Sequence, residues 1–259
     1  QQWEKPKGPE TGITSANSVL LSTACDTRRE PDRPLDEREP GFLERYDDDT
    51  LFFDAFWAPS TSIFRKRRAV ALGPPFLNLL PEPGALRIKD ADTRRQLSHE
   101  VRHMHRHSQI WVTANQGTVA LSVELPFAQF RVPIAPNKSS LFCGRRVLLT
   151  YSKNNELEWI CDWFRFHRDV HGADAVIIYD NGSTKYDATD LLDALNSLQG
   201  LTVSHVVHWP FKHGPGSRDS AGNVDSRYGQ AGALEHARWR FLCSARSVMV
   251  GDVDELVLP

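Results

Sequence analysis

The chain has 259 residues, of which 40% are hydrophobic and 25% are charged, a composition typical of globular proteins. Its formal net charge of -2 creates no overall field that would attract nucleic acid, so no nucleic-acid partner is expected. No apolar run approaches the roughly 18–20 residues that cross a bilayer. Any membrane attachment is therefore expected to depend on a segment outside this chain.

In the first 145 residues, short β-favouring runs alternate with turn signals. These runs are found at 18–22, 51–53, 69–72, 110–113 and 118–123. Prolines, glycines and asparagines between them supply turn chemistry. The pattern predicts a β-rich N-terminal or accessory domain at residues 1–145, which begins with a polar stem. The charged, proline-bearing stretch 26–40 is predicted to be an exposed loop.

From residue 146 onwards, strand-like apolar runs alternate with helical patterns. The predicted strands cover 146–151, 175–179, 201–207 and 247–251, and the predicted helices cover about 155–170, 188–198 and 228–245. Asn155 and Glu158 match a capping box at the start of the first helix, and Gly172 is a plausible stop. The alternation predicts an α/β fold at 146–259, with a mostly parallel, Rossmann-like sheet and flanking helices.

Polar residues follow the predicted strands of this second region. Ligands of parallel sheets bind beyond the carboxyl ends of the strands, so these positions are candidates for a binding site. The candidates are Thr150, Lys153 and Asn154 after the first strand, Asp180 and Asn181 after the second, and Asp252 and Asp254 after the fourth. The loop that follows the third strand runs to Arg227.

The most informative of these positions is the D-x-D sequence Asp252-Val253-Asp254, which follows an apolar strand. In an extended chain, alternation places Asp252 and Asp254 on one side and Val253 on the other. Two carboxylates on one side suit Mn²⁺ or Mg²⁺, ions that also bind substrate phosphates. Asp252 and Asp254 are therefore predicted metal ligands, and Glu255 is predicted to face away from Asp254.

Four segments, taken in order and with their spacing, resemble glycosyltransferase family 92 and the related bacterial family-2-like enzymes. They are residues 153–167, 177–184, 228–234 and 250–259. The resemblance implies a GT-A fold and a metal-dependent enzyme. Such an enzyme would move a hexose, with galactose as the first expectation, from a UDP-sugar to a glycan acceptor, with inversion at the sugar.

The resemblance also implies roles for individual residues. Thr150 would contact the base or ribose, and Asp180 would accept a hydrogen bond from uracil. Arg227 would meet the diphosphate, Asp252 the ribose or metal, and Asp254 the metal. Lys153, Asn154 and Asn181 are expected to line the same nucleotide-sugar site.

In such enzymes the catalytic base lies beyond the D-x-D strand, and here it is expected beyond Pro259. The chain, which holds the nucleotide-sugar-binding half of the domain, is therefore expected either to be a fragment or to be unable to catalyse alone. The Golgi lumen is the expected compartment, with the bacterial cytoplasm as the alternative. A non-catalytic carbohydrate- or nucleotide-binding protein that keeps half of the fold is the alternative function.

Two further motifs have competing interpretations. His99-Glu100-Val101-Arg102-His103 matches the H-E-x-x-H zinc signature, which requires a helix and a third ligand. Its arginine-rich surroundings favour a solvated basic segment, with a phosphate-facing basic patch as a further possibility. Trp57 and Trp111 are predicted to pack in the core, the alternative being stacking on sugar rings.

Overall fold

The computed structural model describes residues 10–59, 66–216 and 227–258; the predicted stem at 1–9 and Pro259 lie outside the described residues. The strands are β1 (Glu10–Ser15), β2 (Val19–Leu20), β3 (Thr50–Phe52), β4 (Asp54–Trp57), β5 (Lys66–Gly73), β6 (Arg87–Asp90), β7 (Ser98–His103), β8 (Ser108–Asn115), β9 (Ala120–Leu125), β10 (Ala128–Pro133), β11 (Arg146–Ser152), β12 (Ala175–Asp180), β13 (Val203–His208) and β14 (Ser247–Val250). The α-helices are α1 (Phe42–Arg45), α2 (Leu157–His171), α3 (Ala188–Asn196) and α4 (Tyr228–Arg240).

The chain divides into two compact units. Of the described residues, the parallel unit contains 10–15, 139–210 and 241–258, and the antiparallel unit contains the rest. This division differs from the predicted boundary at residue 145, because residues 10–15 and 139–145 join the parallel unit and the described residues of 211–240 join the antiparallel unit. The strand β1 belongs to the parallel unit because it pairs with β13, and α4 belongs to the antiparallel unit.

The parallel unit is built on a five-stranded sheet in the order β1-β13-β12-β11-β14, in which every neighbouring pair is parallel. The α/β prediction is therefore confirmed for this part of the chain. The runs that form β12 and β13 are rich in valine and isoleucine, and β12 is buried along its whole length. Such continuous apolar runs are typical of parallel strands that are covered on both faces.

Helices α2 and α3 cover one face of this sheet. Ile160, Trp163 and Phe164 of α2 join Leu191 and Leu195 of α3 in one apolar core with side chains from the strands. The α2 residues recur every three to four positions, which places them on the same side of the helix. The helix ends as predicted at Gly172, whose φ of 67° is in the left-handed region that glycine adopts without strain.

The predicted capping box at the start of α2 is wrong. The helix begins at Leu157, and its N-cap residue, Glu156, makes no side-chain capping hydrogen bond. Asn155 instead donates from Nδ2 to Oγ of Ser152, at 2.8 Å. The asparagine thus stabilises the end of β11, because a polar side chain in a loop can bond either to a helix end or to a neighbouring turn.

The antiparallel unit confirms the predicted β-rich character of the first part of the chain. It contains a four-stranded sheet β4-β5-β8-β7, a three-stranded sheet β10-β9-β6 and the pair β2-β3. All of the paired strands in these sheets are antiparallel. Large apolar side chains from the three sheets form one core, which includes Leu51, Phe52, Ile88, Ile110 and Leu121.

The stretch 26–40 was predicted to be an exposed loop, and this is wrong for two of its arginines. Arg29 and Arg33 are buried. The Arg29 guanidinium donates to the carbonyl oxygens of Pro75, Asp47 and Thr50 at 2.7–2.9 Å. Five fixed N–H donors allow one arginine to bond several carbonyl groups at once. Arg29 therefore holds the segment against the unit.

Helix α4 was predicted to reach residue 245 but ends at Arg240. It packs closely against the antiparallel unit at Gly232, where a Cβ atom would lie 2.4 Å from the Phe53 ring. Among the residues that the structure describes, no helix has the length and apolar character needed to cross a membrane.

Candidate functional site

The carboxyl ends of three parallel strands meet in register at one edge of the sheet. Ser152 of β11 lies opposite Asp180 of β12, and Asp180 lies opposite His208 of β13. Because the strands are parallel, the loops that follow them leave from the same edge. The sequence prediction that polar strand ends come together is confirmed for these positions.

Asp180 is buried, and its carboxylate is held by the turn that follows it. Oδ1 accepts hydrogen bonds from the Ser183 backbone N–H, at 3.2 Å, and from the Ser183 hydroxyl. The peptide carbonyl of Asp180 accepts from the Trp209 N–H at 2.8 Å. This carboxylate also affects a neighbour: burial chiefly, and then the charge of Asp180, raises the pKa of Tyr151.

Asn154 connects the loop after β11 to the loop after β12. Its backbone N–H donates to Oγ of Ser183 at 2.9 Å, and its Oδ1 accepts from the N–H groups of Thr184 and Lys185 at 2.7 and 3.2 Å. Asn154 has a φ of 57°, a left-handed conformation that asparagine tolerates better than most residues. Ser183 thus receives a hydrogen bond from Asn154 and gives one to Asp180.

Asn181 ties the second and third strand ends together. Its Nδ2 donates to the Trp209 carbonyl at 2.9 Å, and its backbone N–H donates to the Ser152 carbonyl at 2.8 Å. Its side-chain amide therefore fixes the geometry of this edge. The Lys153 side chain, one residue beyond β11, is exposed.

Thr150 lies on β11 two residues before the strand end at Ser152, and it is opposite Ile178 of β12. The residue is buried, and its hydroxyl has no hydrogen-bond partner among the described residues. A buried polar atom without a partner is uncommon in folded proteins. The structure therefore places Thr150 beneath the strand ends, with its hydroxyl covered.

The D-x-D residues form a turn after β14, which ends at Val250. The Glu255 N–H donates to the Asp252 carbonyl at 3.0 Å, and the Glu255 carboxylate accepts from the Asp252 N–H at 3.1 Å. The argument from strand alternation is therefore wrong. The two aspartates are nevertheless separated from Val253 as predicted. Asp252 and Asp254 are exposed, while Val253 is buried in the core with α2 and α3.

Glu255 was predicted to face away from Asp254 because a strand would continue. Instead, its carboxylate turns back and caps the Asp252 N–H. Aspartate and glutamate commonly make such local bonds to the backbone at turns. Glu255 thus stabilises the shape of the acidic turn.

A divalent cation can be tested against this donor set. The exposed carboxylates of Asp252 and Asp254 are oxygen ligands of the kind that Mg²⁺ and Mn²⁺ prefer. Within the described ranges, no group of three or more His, Cys, Asp or Glu side chains is arranged to hold a metal. The two carboxylates are suitable ligands, but they are too few to fill the six coordination positions of the ion. Phosphate oxygens and water would have to occupy the remaining positions.

Arg227 belongs to the antiparallel unit, where it directly precedes α4. Its carbonyl accepts from the Ala231 N–H at 3.2 Å, in the first turn of the helix. The residue is half-buried, and its Nε atom has no hydrogen-bond partner among the described residues. Its expected role at a diphosphate stays a prediction.

The zinc interpretation of His99 to His103 is wrong in its structural requirement. These residues lie on the strand β7, whereas the signature needs a helix. Glu100, which would act as the general base, forms ion pairs with Arg68 and Arg102 instead. The segment is a partly exposed, charged strand, as its composition favoured.

Core packing of the two tryptophans is confirmed. Trp57 and Trp111 are buried, and arginine side chains cover their rings. The Arg67 guanidinium lies 5.3 Å from the Trp57 ring centroid, and that of Arg68 lies 4.4 Å from the Trp111 ring centroid. Both tryptophan rings are therefore too buried to stack on a sugar.

Two hydrogen bonds at the edge were missed by the sequence reasoning. The Ser183 hydroxyl donates to Asp180, and Oγ of Ser152 accepts from Asn155. A signal was present for the first bond, because an aspartate followed three residues later by a serine in Asp-Asn-Gly-Ser is typical of a turn closed by the aspartate side chain. No local signal identified the second bond, because it depends on the path of the loop.

No protein-family model matches this chain, and no curated protein matches it.

Proposed function

We propose that the parallel unit binds a nucleoside diphosphate sugar, and that the protein is a metal-dependent glycosyltransferase with a GT-A-like fold. One observation supports this most: β11 lies between β12 and β14, so that Asp180 and the acidic turn 252–254 follow the two strands on either side of it. At the usual strand spacing, these two strand ends are about 10 Å apart. A ligand with a base at one end and a diphosphate at the other suits such a separation.

The residues at the edge have distinct parts in this proposal. Asp180, held by Ser183, accepts an N–H of the uracil ring. Asn154 and Asn181 hold the loops that frame the base, and Lys153 provides an exposed positive charge. Thr150 lies beneath the base and ribose positions, and the role of Arg227 stays a prediction.

Asp252 and Asp254 would hold Mn²⁺ or Mg²⁺ together with the diphosphate. When bound, the cation supplies positive charge that stabilises the departing diphosphate. The chain's own contribution is the turn itself: buried Val253 anchors it, and the Glu255 carboxylate fixes the Asp252 backbone. The acidic side chains are thereby presented on the exposed side of the turn.

The proposed reaction is transfer of a hexose, with galactose as the first choice, from a UDP-sugar to a glycan acceptor with inversion. No residue in this chain is assigned as the catalytic base.

The proposal is tested by binding of UDP, UMP and inorganic pyrophosphate to the 259-residue chain in the presence and absence of Mn²⁺, measured by calorimetry. UDP is expected to bind at least ten-fold more tightly with Mn²⁺ than without it, and UMP is expected to gain little, because only the diphosphate can share the metal. Glu158→Gln, an exposed change on α2, serves as a charge-matched control for Asp254→Asn.

Loss of the Mn²⁺ effect in Asp254→Asn and its retention in Glu158→Gln would support the site. Failure of the wild-type chain to bind UDP at millimolar concentration, with or without Mn²⁺, would overturn the proposal. A screen of UDP-galactose, UDP-glucose and UDP-N-acetylglucosamine for Mn²⁺-dependent hydrolysis then addresses the sugar.

A further inference from the structure

A cleft of about 330 Å³ lies at the opposite, amino-terminal edge of the parallel sheet. Its walls come from the first residues of β11 and β14 and from the end of α2. The volume is at the small end of the range for small-molecule pockets, roughly 300–1,000 Å³. The nucleotide site is proposed at the carboxyl edge, so this cleft requires a separate explanation.

The cleft combines an apolar surface with a few polar groups on its rim. Leu148, Ala173, Val248 and Met249 provide the apolar part, and Arg146 and His171 lie among its lining residues. A mostly apolar wall with a small number of polar groups is typical of sites for small organic ligands.

The Arg146 guanidinium is the charged group of this cleft. Within the described ranges it makes no hydrogen bond or ion pair, although it lies close to Gly172: a Cβ atom on that glycine would be 2.5 Å from Nη1. A side chain at position 172 would have to displace the flexible end of Arg146. Gly172 therefore both ends α2 and lies directly against the Arg146 guanidinium.

The Asp174 carboxylate, which bonds the Arg146 backbone, is also engaged by Arg145. It accepts from the Arg146 backbone N–H at 2.8 Å and from Nη1 of Arg145 at 3.2 Å. At the end of α2, the Arg168 and His167 carbonyls accept hydrogen bonds from the N–H groups of Gly172 and Ala173. The positive charge of Arg146 thus has no compensating carboxylate among the described residues.

His171 is fixed in orientation at the same rim. Its Nε2 lies 2.7 Å from the Val257 carbonyl oxygen, which only accepts, so Nε2 carries the proton. Its ring also stacks on His167, with centroids 5.3 Å apart. The imidazole therefore forms a rigid wall next to the guanidinium.

We propose that this cleft binds a small organic carboxylate, with the carboxylate on Arg146 and a compact apolar body against Leu148, Val248 and Met249. Arginine matches a carboxylate in two-point geometry, and the apolar wall favours an aliphatic or aromatic body over inorganic anions. The site is independent of the proposed nucleotide site and requires no metal.

The two methionines of the chain make a direct test possible. Met249 lines the cleft, and Met104 lies in the antiparallel unit, where it is exposed. The chain is labelled with ¹³C-methyl methionine and titrated with 3-phenylpropanoate, and separately with the neutral 3-phenylpropan-1-ol. The Met249 signal is expected to shift and saturate with the acid, while the Met104 signal stays in place.

The acid is expected to bind about ten-fold more tightly than the alcohol, because a charge-assisted hydrogen bond is lost in the alcohol. Arg146→Gln should reduce the affinity for the acid to that for the alcohol. Arg165→Gln, which removes an exposed arginine of α2 outside the cleft, should leave it unchanged. Far-UV circular dichroism confirms that both variants fold.

The proposal is overturned if the acid and the alcohol bind equally, if Arg146→Gln binds the acid like the wild type, or if Met104 and Met249 shift together. Absence of any Met249 shift at millimolar acid would also overturn it. UDP binding is measured in parallel, so that failure of this site and failure of the proposed function are told apart.

Discussion

Nε2 of His236 lies 2.8 Å from Oδ2 of Asp54, and both side chains are fully buried. The Arg240 guanidinium, one turn further along α4, bonds the same carboxylate oxygen. The other carboxylate oxygen accepts from the backbone N–H groups of Asn17 and Ala55. One buried carboxylate thus joins β4 to the last two turns of α4 within the antiparallel unit.

Removing the Asp54 carboxylate is expected to destabilise the protein strongly. Asp54→Ala removes the carboxylate that pairs with the buried Arg240 charge, which costs about 3–5 kcal/mol in comparable cases. Urea-induced unfolding followed by tryptophan fluorescence measures the loss. Asp92→Asn, which breaks the exposed ion pair with Arg131, should cost less than about 1 kcal/mol. Similar losses in the two variants would contradict a special role for the buried carboxylate.

Stability is expected to fall in mild acid because of His236. Burial chiefly, and then Arg240, lower the pKa of this histidine below its usual value, although the bond to Asp54 acts in the opposite direction. Below about pH 6.5 the unfolded chain takes up a proton at this position while the folded chain resists it. The free energy of unfolding should therefore be constant above that pH and decrease below it.

The free energy of unfolding is expected to fall by at most about 1.4 kcal/mol per pH unit because of this one histidine. His236→Gln keeps a side-chain N–H donor for Asp54 and removes the titration, so this part of the slope should disappear. Urea unfolding at pH 5.5, 6.5 and 7.5 gives the comparison. An unchanged slope in the variant would assign the acid sensitivity to other groups.

The loop connection through Asn154 is expected to contribute to stability independently of any ligand. Asn154→Ala removes the side-chain hydrogen bonds to Thr184 and Lys185 and places alanine at a φ of 57°, which should cost about 2 kcal/mol. Asn154→Gly removes the same bonds and tolerates this backbone, so its loss should be smaller. Thermal unfolding of both variants measures the difference. Equal losses would show that the left-handed conformation contributes nothing.

The parallel sheet could be predicted because β11 and β12 contain continuous apolar runs, β13 is rich in valine, and helical patterns separate the three strands, which is a local signal. Strand β1 could not, since Glu10–Ser15 is largely polar and its partner β13 is more than 190 residues away in sequence. Arg29 was misread for a related reason. A charged residue in a proline-bearing stretch indicates solvent exposure, and the three carbonyls that bury it come from distant segments.

The candidate site was predictable in its positions but not in its bonds. The rule that ligands gather at the carboxyl ends of parallel strands identified Asp180, Asn181 and the D-x-D residues. It could not show that Ser183 would hold Asp180, or that the chain would turn at Val253. These depend on the loop path, which a three-residue pattern does not determine.

Asp180 is expected to discriminate ligands that carry a base. Asp180→Asn replaces one of the two carboxylate oxygens by an NH₂ group. This group is a donor and cannot accept a hydrogen bond from the N–H of uracil. UDP affinity should fall about ten-fold or more, while pyrophosphate affinity in Mn²⁺ should change little. Calorimetry with both ligands measures this. Equal losses for UDP and pyrophosphate would indicate a general effect on the fold of the edge.

Mn²⁺ and UDP are expected to bind cooperatively at the acidic turn. Two carboxylates leave most positions of a six-coordinate ion to water and diphosphate oxygens. Mn²⁺ and UDP should therefore each raise the affinity of the other, and by the same factor, because coupling between two binding equilibria is reciprocal.

Variants at Glu255 separate direct metal binding from support of the turn. Glu255→Gln keeps an oxygen that can accept from the Asp252 N–H, so the coupling factor should stay within about two-fold of the wild type. Glu255→Ala removes this bond and should weaken the coupling, while Asp254→Asn should abolish it because a metal ligand is lost. Calorimetric titrations of UDP at several Mn²⁺ concentrations give the factor for each variant. A Glu255→Gln protein as impaired as Asp254→Asn would make Glu255 itself a ligand, and full coupling in Asp254→Asn would remove the D-x-D turn from the metal site.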